Sequence, residues 1–231
     1  MLKSRSILIL TIFLAVACQR PFADKPAARI TNETVQASPT ITDASTAAVD
    51  TVIETAPESV TPVAQEKSQI SFIGAKVTGQ HIGVFHDFDG RIEYRDGIPE
   101  RLAFEIDLAS VKTDQAKLDR HLKSEDFFDV AKYPKATFVS TGIQPPPVVR
   151  RGEAVHTVRG VLDLHGQKRA IEFPVKVRLT PDALSATSEF TINRHDWGVS
   201  YKGAADDLIR DDVLIKLDLQ FPPPPKQGES V

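Results

Sequence analysis

The side chains that could do chemistry in this chain are few and widely spaced. His121, His165 and His195 are the first candidates, because imidazole ligates metals and moves protons near neutral pH. The patterns that make such roles specific are missing. No close pair of the H-x-x-x-H kind occurs among them, and no glutamate sits between histidines as in H-E-x-x-H. His81 and His86 are separated by an odd number of residues, so on a continuous strand they would face opposite ways. His165 beside Gly166 reads as a turn residue, and His121 as a hydrogen-bonding partner for a strand end. Gly198-Val199-Ser200 starts like a nucleophile elbow but lacks the second glycine and the strand-to-helix context. Asp206, Asp207, Asp211 and Asp212 flank one loop without the ligand spacing of a calcium loop, and read as solvated charge. Arg194 and Asp196 are the best candidates for a buried or rim polar pair, next to Trp197, the single tryptophan. The chain therefore offers no catalytic set, no metal site and no cofactor motif, and the expectation is a protein that is not an enzyme.

One residue has a use of another kind. Lys3 and Arg5 precede an apolar run, Ile7 to Val16, that is too short to span a bilayer comfortably; it ends in Leu14-Ala15-Val16-Ala17-Cys18. This resembles a bacterial lipoprotein signal, with residues 1–17 removed and Cys18, the only cysteine, acylated. Ala15 stands where such signals usually carry leucine. More than one acyl chain gives lasting anchorage, and Gln19 after the cysteine implies sorting to the outer membrane, facing the periplasm. Residues 18–67 are rich in Ala, Thr, Ser, Val and Pro without a sustained apolar period, so they read as a disordered tether with an end-to-end distance of roughly 35–40 Å. Residues 68–222 have the length and pattern of one domain, and residues 223–231 read as a frayed tail after the proline run at Pro222 to Pro225. With 28 basic and 31 acidic residues the net charge is −3, and no basic stripe appears, so nucleic acid is excluded as a partner.

The elements that must position these residues alternate with period two. Leu102, Phe104, Ile106 and Leu108 form one such series; Val158, Gly160, Leu162 and Leu164 form another. Ile171, Phe173, Val175, Val177 and Leu179 follow, then Leu184, Ala186, Ser188, Phe190 and Ile192, then Val213, Ile215, Leu217 and Leu219. The pattern predicts an all-β fold of about eight antiparallel strands, joined by tight turns and closing on itself as a barrel. Its interior would be lined by Phe104, Ile106, Phe138, Leu162, Phe173, Val175, Phe190, Ile192, Ile215 and Leu217. Such a barrel is either packed solid or keeps a narrow apolar slot suited to a chain-like ligand. A short helical insertion near 114–129 interrupts the strands. Thr113 or Asp114 caps it, Leu118 and Leu122 share one face, and Ser124 caps a second turn loaded with Phe127 and Phe128. Pro134 then returns the chain to extended geometry through Tyr133. This insertion is a plug or lid, with His121, Phe127, Phe128, Arg194 and Trp197 at the rim or closure.

The spelling of that insertion resembles the YceI-like family. The matching residues are Asp119, His121 and Leu122 for D-x-H-L, Ser124 with Asp126 to Asp129 for S-x-D-F-F-D, Tyr133-Pro134, and a strand ending in Ser140-Thr141. Gly83-Val84-Phe85 with Phe88-Asp89-Gly90, Val158 to Leu162 with His165-Gly166, Arg194 to Gly198, and Asp211-Asp212-Val213 resemble further motifs of the family in the right order. Leu118 replaces a common arginine, and Gln69-Ile70-Ser71-Phe72 replaces an opening H-S strand. The resemblance implies a lipocalin-like barrel that binds a polyisoprenoid in its interior. The function it implies is a lipid-anchored envelope protein that sequesters or ferries an apolar chain, a polyisoprenoid or quinone tail. A filled barrel acting as a structural or stress-protective module is the alternative, and an isoprenoid-modifying enzyme the third. The partners are the apolar ligand and the membrane reached through the acyl anchor, and a homodimer is left open.

Overall fold

The alternating series fold as strands of a single antiparallel sheet. The computed structural model describes residues 21–31, 57, 59–96, 98–146, 153–204 and 207–223. The signal segment and Cys18 lie outside the described residues, as do 32–56 and 224–231. Along the chain the strands are β1 (Arg29–Ile30), β2 (Ser59–Pro62), β3 (Gln69–Lys76), β4 (Gly79–Phe85), β5 (Phe88–Arg95) and β6 (Ile98–Asp107). They continue as β7 (Val111–Thr113), β8 (Lys135–Gln144), β9 (Glu153–Leu164), β10 (Gln167–Leu179), β11 (Leu184–Asn193), β12 (Gly203–Ala204) and β13 (Asp207–Phe221). The main ladder runs β2-β5-β6-β8-β9-β10-β11-β13-β3-β4-β7. It curls into the expected lipocalin-like shape as a half-barrel, with β2 and β7 at the ends of the hydrogen-bonded path. The core sits inside the curl.

Three cross-strand contacts show how the curl is packed. The Phe72 ring lies over Gly83, its partner across β3 and β4, and the Phe104 ring lies over Gly90 across β5 and β6. Phe138 covers Gly160 diagonally from β8 to β9, since the residue directly opposite Gly160 is Ser140. In each case a Cβ on the glycine would stand within 2.5 Å of a ring carbon, so the absent side chain makes the room that the aromatic fills.

The tether boundary at residue 68 is corrected at two places. Ser59–Pro62 adds β2 to the outer edge of β5. Further upstream, residues 26–31 enter a split in the sheet. Strands β10 and β11 pair directly only between Lys176–Leu179 and Leu184–Thr187. Beyond that they diverge, and the N-terminal segment fills the gap. Arg29 and Ile30 pair with Glu172 and Ile171 on one side, while Ala27 bridges Thr191 on the other. Ala28 N–H donates to Thr191 O at 2.8 Å, Thr191 N–H to Pro26 O at 2.9 Å, and Thr31 N–H to Ala170 O at 2.9 Å. Lys25 Nζ lies 2.7 Å from Glu189 Oε2, which fastens the segment to β11.

The helical insertion is shorter than expected. Helix α1 spans Ala116–Lys123, with Gln115 at its N-cap making no side-chain cap bond. Thr113 Oγ1 accepts from Gln115 N–H at 3.1 Å, and Asp119 Oδ1 accepts from both Thr113 N–H and Thr113 Oγ1 at 2.7 Å. Ser124 ends this helix instead of starting another, since its Oγ donates to His121 O at 2.7 Å. The chain beyond it forms hydrogen-bonded turns that close with Asp129 at φ 47°.

Candidate functional site

The inward faces of the strands enclose a cavity of about 540 Å³. The interior residues named from the alternation all border it. Phe104 and Ile106 reach it from β6, Phe138 from β8 and Leu162 from β9. Phe173 and Val175 come from β10, Phe190 and Ile192 from β11, and Ile215 and Leu217 from β13. Phe138, Phe173 and Phe190 form a continuous aromatic run, with ring centroids 5.4 Å apart in the first pair and 4.2 Å apart, nearly parallel, in the second. A wall of this kind gives an apolar chain dispersion and burial along its length and offers little to a compact polar molecule.

One end is capped by α1 and the turns after it. Leu118, Leu122, Phe127 and Phe128 face the cavity. Phe128 meets Phe72 edge-on at 6.1 Å and Phe85 at 5.9 Å, which ties the cap to β3 and β4. His121 stands edge-on to Phe127 at 5.0 Å and to Tyr201 at 4.8 Å, and its Nε2 lies 2.9 Å from Asp126 Oδ2. That carboxylate takes the place of the strand end expected as its partner. The bonds from Thr113 hold the Asp119 carboxyl below its ordinary pKa. His81, also on the cavity wall, has its Nδ1 3.0 Å from Asp114 Oδ1, while His86 lies beyond the end of β4 and is exposed.

The corner after β11 splits the rim assignments. Arg194 borders the cavity but is only 5% exposed, and its guanidinium serves the backbone. Nε donates to Arg210 O at 3.1 Å and Nη1 to Val199 O at 2.7 Å. Its nearest carboxylate in an ion pair is Asp211, at 3.6 Å, and the expected pairing with Asp196 is replaced by this one. Burial pushes the Arg194 pKa down, opposed by Asp211. Trp197 does not border the cavity: it is buried in the corner, with Nε1 donating to Leu162 O at 3.2 Å. His165, at φ 52°, has its Nδ1 3.1 Å from Trp197 O, so it is the turn residue expected. No cluster of three or more histidine, cysteine or acidic side chains that could hold a metal occurs among the described residues.

A model of the YceI-like domain matches residues 62–221. The chain belongs to the YceI-like family. Among curated relatives, the UPF0312 protein of Pseudomonas putida strain W619 is 32% identical over 142 residues, covering 58% of this chain and 71% of the relative. The UPF0312 protein of Pseudomonas syringae pv. tomato is 29% identical over 174 residues, 67% and 84% of the two chains. Two solved structures share the fold. Burkholderia cenocepacia BcnA aligns with a TM-score of 0.61 at 24% identity, covering 68% of this chain and 98% of that one. A polyisoprenoid binding domain from Saccharophagus degradans, implicated in plant cell wall breakdown, aligns at 0.59 and 19% identity, covering 71% and 98%.

Sequence reasoning missed two parts of this YceI-like site. His156 borders the cavity from β9 on the same side as Val158 and Leu162. The alternation reaches it once the strand is started earlier than Val158. Tyr201 completes the aromatic contact around His121 from a segment with no regular period, and no sequence signal points to it.

Proposed function

We propose that this protein is a lipid-anchored carrier of the bacterial envelope that takes a polyisoprenoid or a quinone tail into its half-barrel and sequesters or ferries it, without chemistry of its own. The observation that carries the reading is the open apolar cavity of about 540 Å³, running between strands long enough to house an extended chain. A filled barrel serving as a structural module is disfavoured by the same cavity. The description of the Saccharophagus degradans neighbour as a polyisoprenoid binding domain supports the ligand class. Anchorage rests on the lipoprotein-like run ending at Cys18, with the outer membrane facing the periplasm as its destination.

The folded N-terminal segment shortens the leash. Lys25, already paired to Glu189 of β11, stands seven positions after Cys18, so the lipidated residue lies within about 25 Å of Lys25. The barrel then sits close to the bilayer surface, a short transfer for a chain leaving the membrane. The test is native mass spectrometry and solvent extraction of the full-length protein purified from membranes. A retained apolar chain of isoprenoid mass is the expected result, and an empty protein that takes up no added isoprenoid overturns the reading. Separately, Cys18→Ala is expected to move the protein from the membrane fraction to the soluble one; unchanged fractionation removes the anchor.

A further inference from the structure

The two ends of the half-barrel show different chemistry to solvent. At the end closed by α1, the helix presents exposed Lys117 and Arg120. The other end is built from strand turns, and their tips are apolar. Ile98, opposite Arg95 at the β5–β6 turn, is 65% exposed; Leu179, opposite Leu184 at the β10–β11 turn, is 55% exposed. Pro99, Pro145, Pro181 and Pro222 are exposed beside them. The register puts these tips at one end, because Gln144 closes β8 opposite Thr157 and Glu153 opens β9 opposite Arg178. The charge at the first tip is matched, with Arg95 Nη2 3.0 Å from Glu100 Oε2. Pro99 both borders the cavity and is exposed, so the bore reaches the surface here. Gln115 and Lys117 do the same at the other end, where the rim is helix.

The N-terminal strap says what meets this apolar end. Lys25 lies at Glu189, Ala27 at Thr191 and Ile30 at Ile171, so the strap runs from the side of the apolar tips toward the His165 turn. Its upstream chain therefore leads back to the tips. Leu184, at their level, stands five positions before Glu189 on β11, or about 17 Å. Cys18 stands seven positions before Lys25, within about 25 Å. Even with the turn closed by Lys25 N–H on Phe22 O, the remaining chain covers that distance. We infer that the mouth framed by Ile98 and Leu179 docks on the bilayer leaflet that holds the acylated Cys18, its tips in the headgroup–acyl boundary and α1 pointing away from the membrane. Aliphatic side chains exposed together at turn tips gain burial there, and the matched Arg95–Glu100 pair brings no bare charge with them. An apolar chain then passes from leaflet to bore without crossing water. The inference rests on the acyl anchor and on the bore as the lipid site, and adds the face through which the two meet. A rival patch, Val77 with Leu208, is exposed at the opposite end, away from the direction in which the strap leads.

The experiment places one fluorophore at a time on the full-length protein purified from membranes. Cys18 is the only cysteine, so once it is acylated a single added thiol takes the label: Asp182→Cys at the β10–β11 turn, Val77→Cys at the opposite end, or Val139→Cys on the outer wall of β8. Each protein is reconstituted in vesicles of phosphatidylethanolamine and phosphatidylglycerol doped with a lipid spin-labelled near its headgroup. The label at Asp182 is expected to shift to the blue and to be quenched, while those at Val77 and Val139 stay wet. Adding Ile98→Asp and Leu179→Asp to the Asp182→Cys protein should lower the ratio of docked to undocked label about tenfold or more, the worth of keeping one aliphatic side chain in an apolar phase. Neither side chain borders the cavity, so binding of geranylgeraniol offered in detergent micelles is unchanged. Quenching at Val77 in place of Asp182 overturns the inference, as does equal quenching at all three sites or quenching at Asp182 that survives the two aspartates. An Asp182 label shielded to the same degree in detergent alone assigns the mouth to a second copy of the chain and also overturns it. Acylated protein whose Asp182 label stays wet sinks the docking face and leaves the anchor standing. An intact mass showing Cys18 without acyl chains removes the anchor, and the inference with it.

Discussion

Asp119 shows how a residue of the family motif serves structure before ligand. Its carboxylate receives the Thr113 N–H and hydroxyl, fixing the end of β7 to the first turn of α1. Those bonds lower its pKa from 3.8, with Thr113 the largest cause. A carboxyl whose folded pKa is depressed contributes stability that is fully present above its unfolded value and is lost as pH falls through the folded one. The contribution of Asp119 is therefore complete at neutral pH and disappears below about 3.8. Asp119→Asn keeps an acceptor for Thr113 but cannot titrate. Urea midpoints measured from neutral pH to below pH 4 are expected to fall less steeply for this variant than for wild type, and parallel curves would remove the assignment. A steric prediction belongs at the same scale. Gly83→Ala places its Cβ about 2.3 Å from the Phe72 ring, which must turn away from its seat. The expected loss of stability is about 1–3 kcal/mol by urea denaturation, the usual cost of overpacking a closed site.

Most elements were legible because burial on one face leaves a period-two trace in each long strand. The interior residues read from β6, β8 to β11 and β13 face the cavity for that reason. The helix was legible in place but not in length. Its apolar spacing runs through Leu118 and Leu122, whereas the later Phe127 and Phe128 are held by turns whose hydrogen bonds leave no periodic mark. The strap at residues 26–31 left none either. Two strand residues cannot show an alternation, and both Arg29 and Ile30 are exposed. What holds the strap is a pairing vacancy between β10 and β11, a property of residues about 140 positions away. Ala28→Pro removes the N–H that donates to Thr191 O. It is expected to destabilise the protein by about 1–3 kcal/mol, the cost of leaving a backbone partner unsatisfied. Hydrogen exchange should locate the loss, with faster exchange at Thr31 and Thr191 and protected amides in β8. Unchanged exchange at Thr31 and Thr191 would mean that the strap is not seated as described.

At the scale of the molecule, the helix cap, the aromatic run and the strap all border or brace one cavity, and its volume is the quantity on which the carrier reading stands. A volume of about 540 Å³ lies within the usual range of ligand pockets, so filling it should separate binding from folding. Ala186 is the position to use. It borders the cavity from β11, between Leu184 and the aromatic run, and is buried. Ala186→Phe directs a ring into space that the wild type leaves open, so the strain of overpacking is small and the apolar burial gained offsets it. The ligand-free variant is expected to melt within a few degrees of ligand-free wild type. On the carrier reading, saturating isoprenoid at a hundredfold excess over Kd is expected to stabilise wild type by about 2.7 kcal/mol, because a ligand of the folded state alone shifts the equilibrium toward it. Ala186→Phe should lose most of that increment, together with the co-purifying chain expected of the wild type. A variant that folds normally and is stabilised as much as wild type would place the lipid outside the cavity, whatever the shape of the barrel.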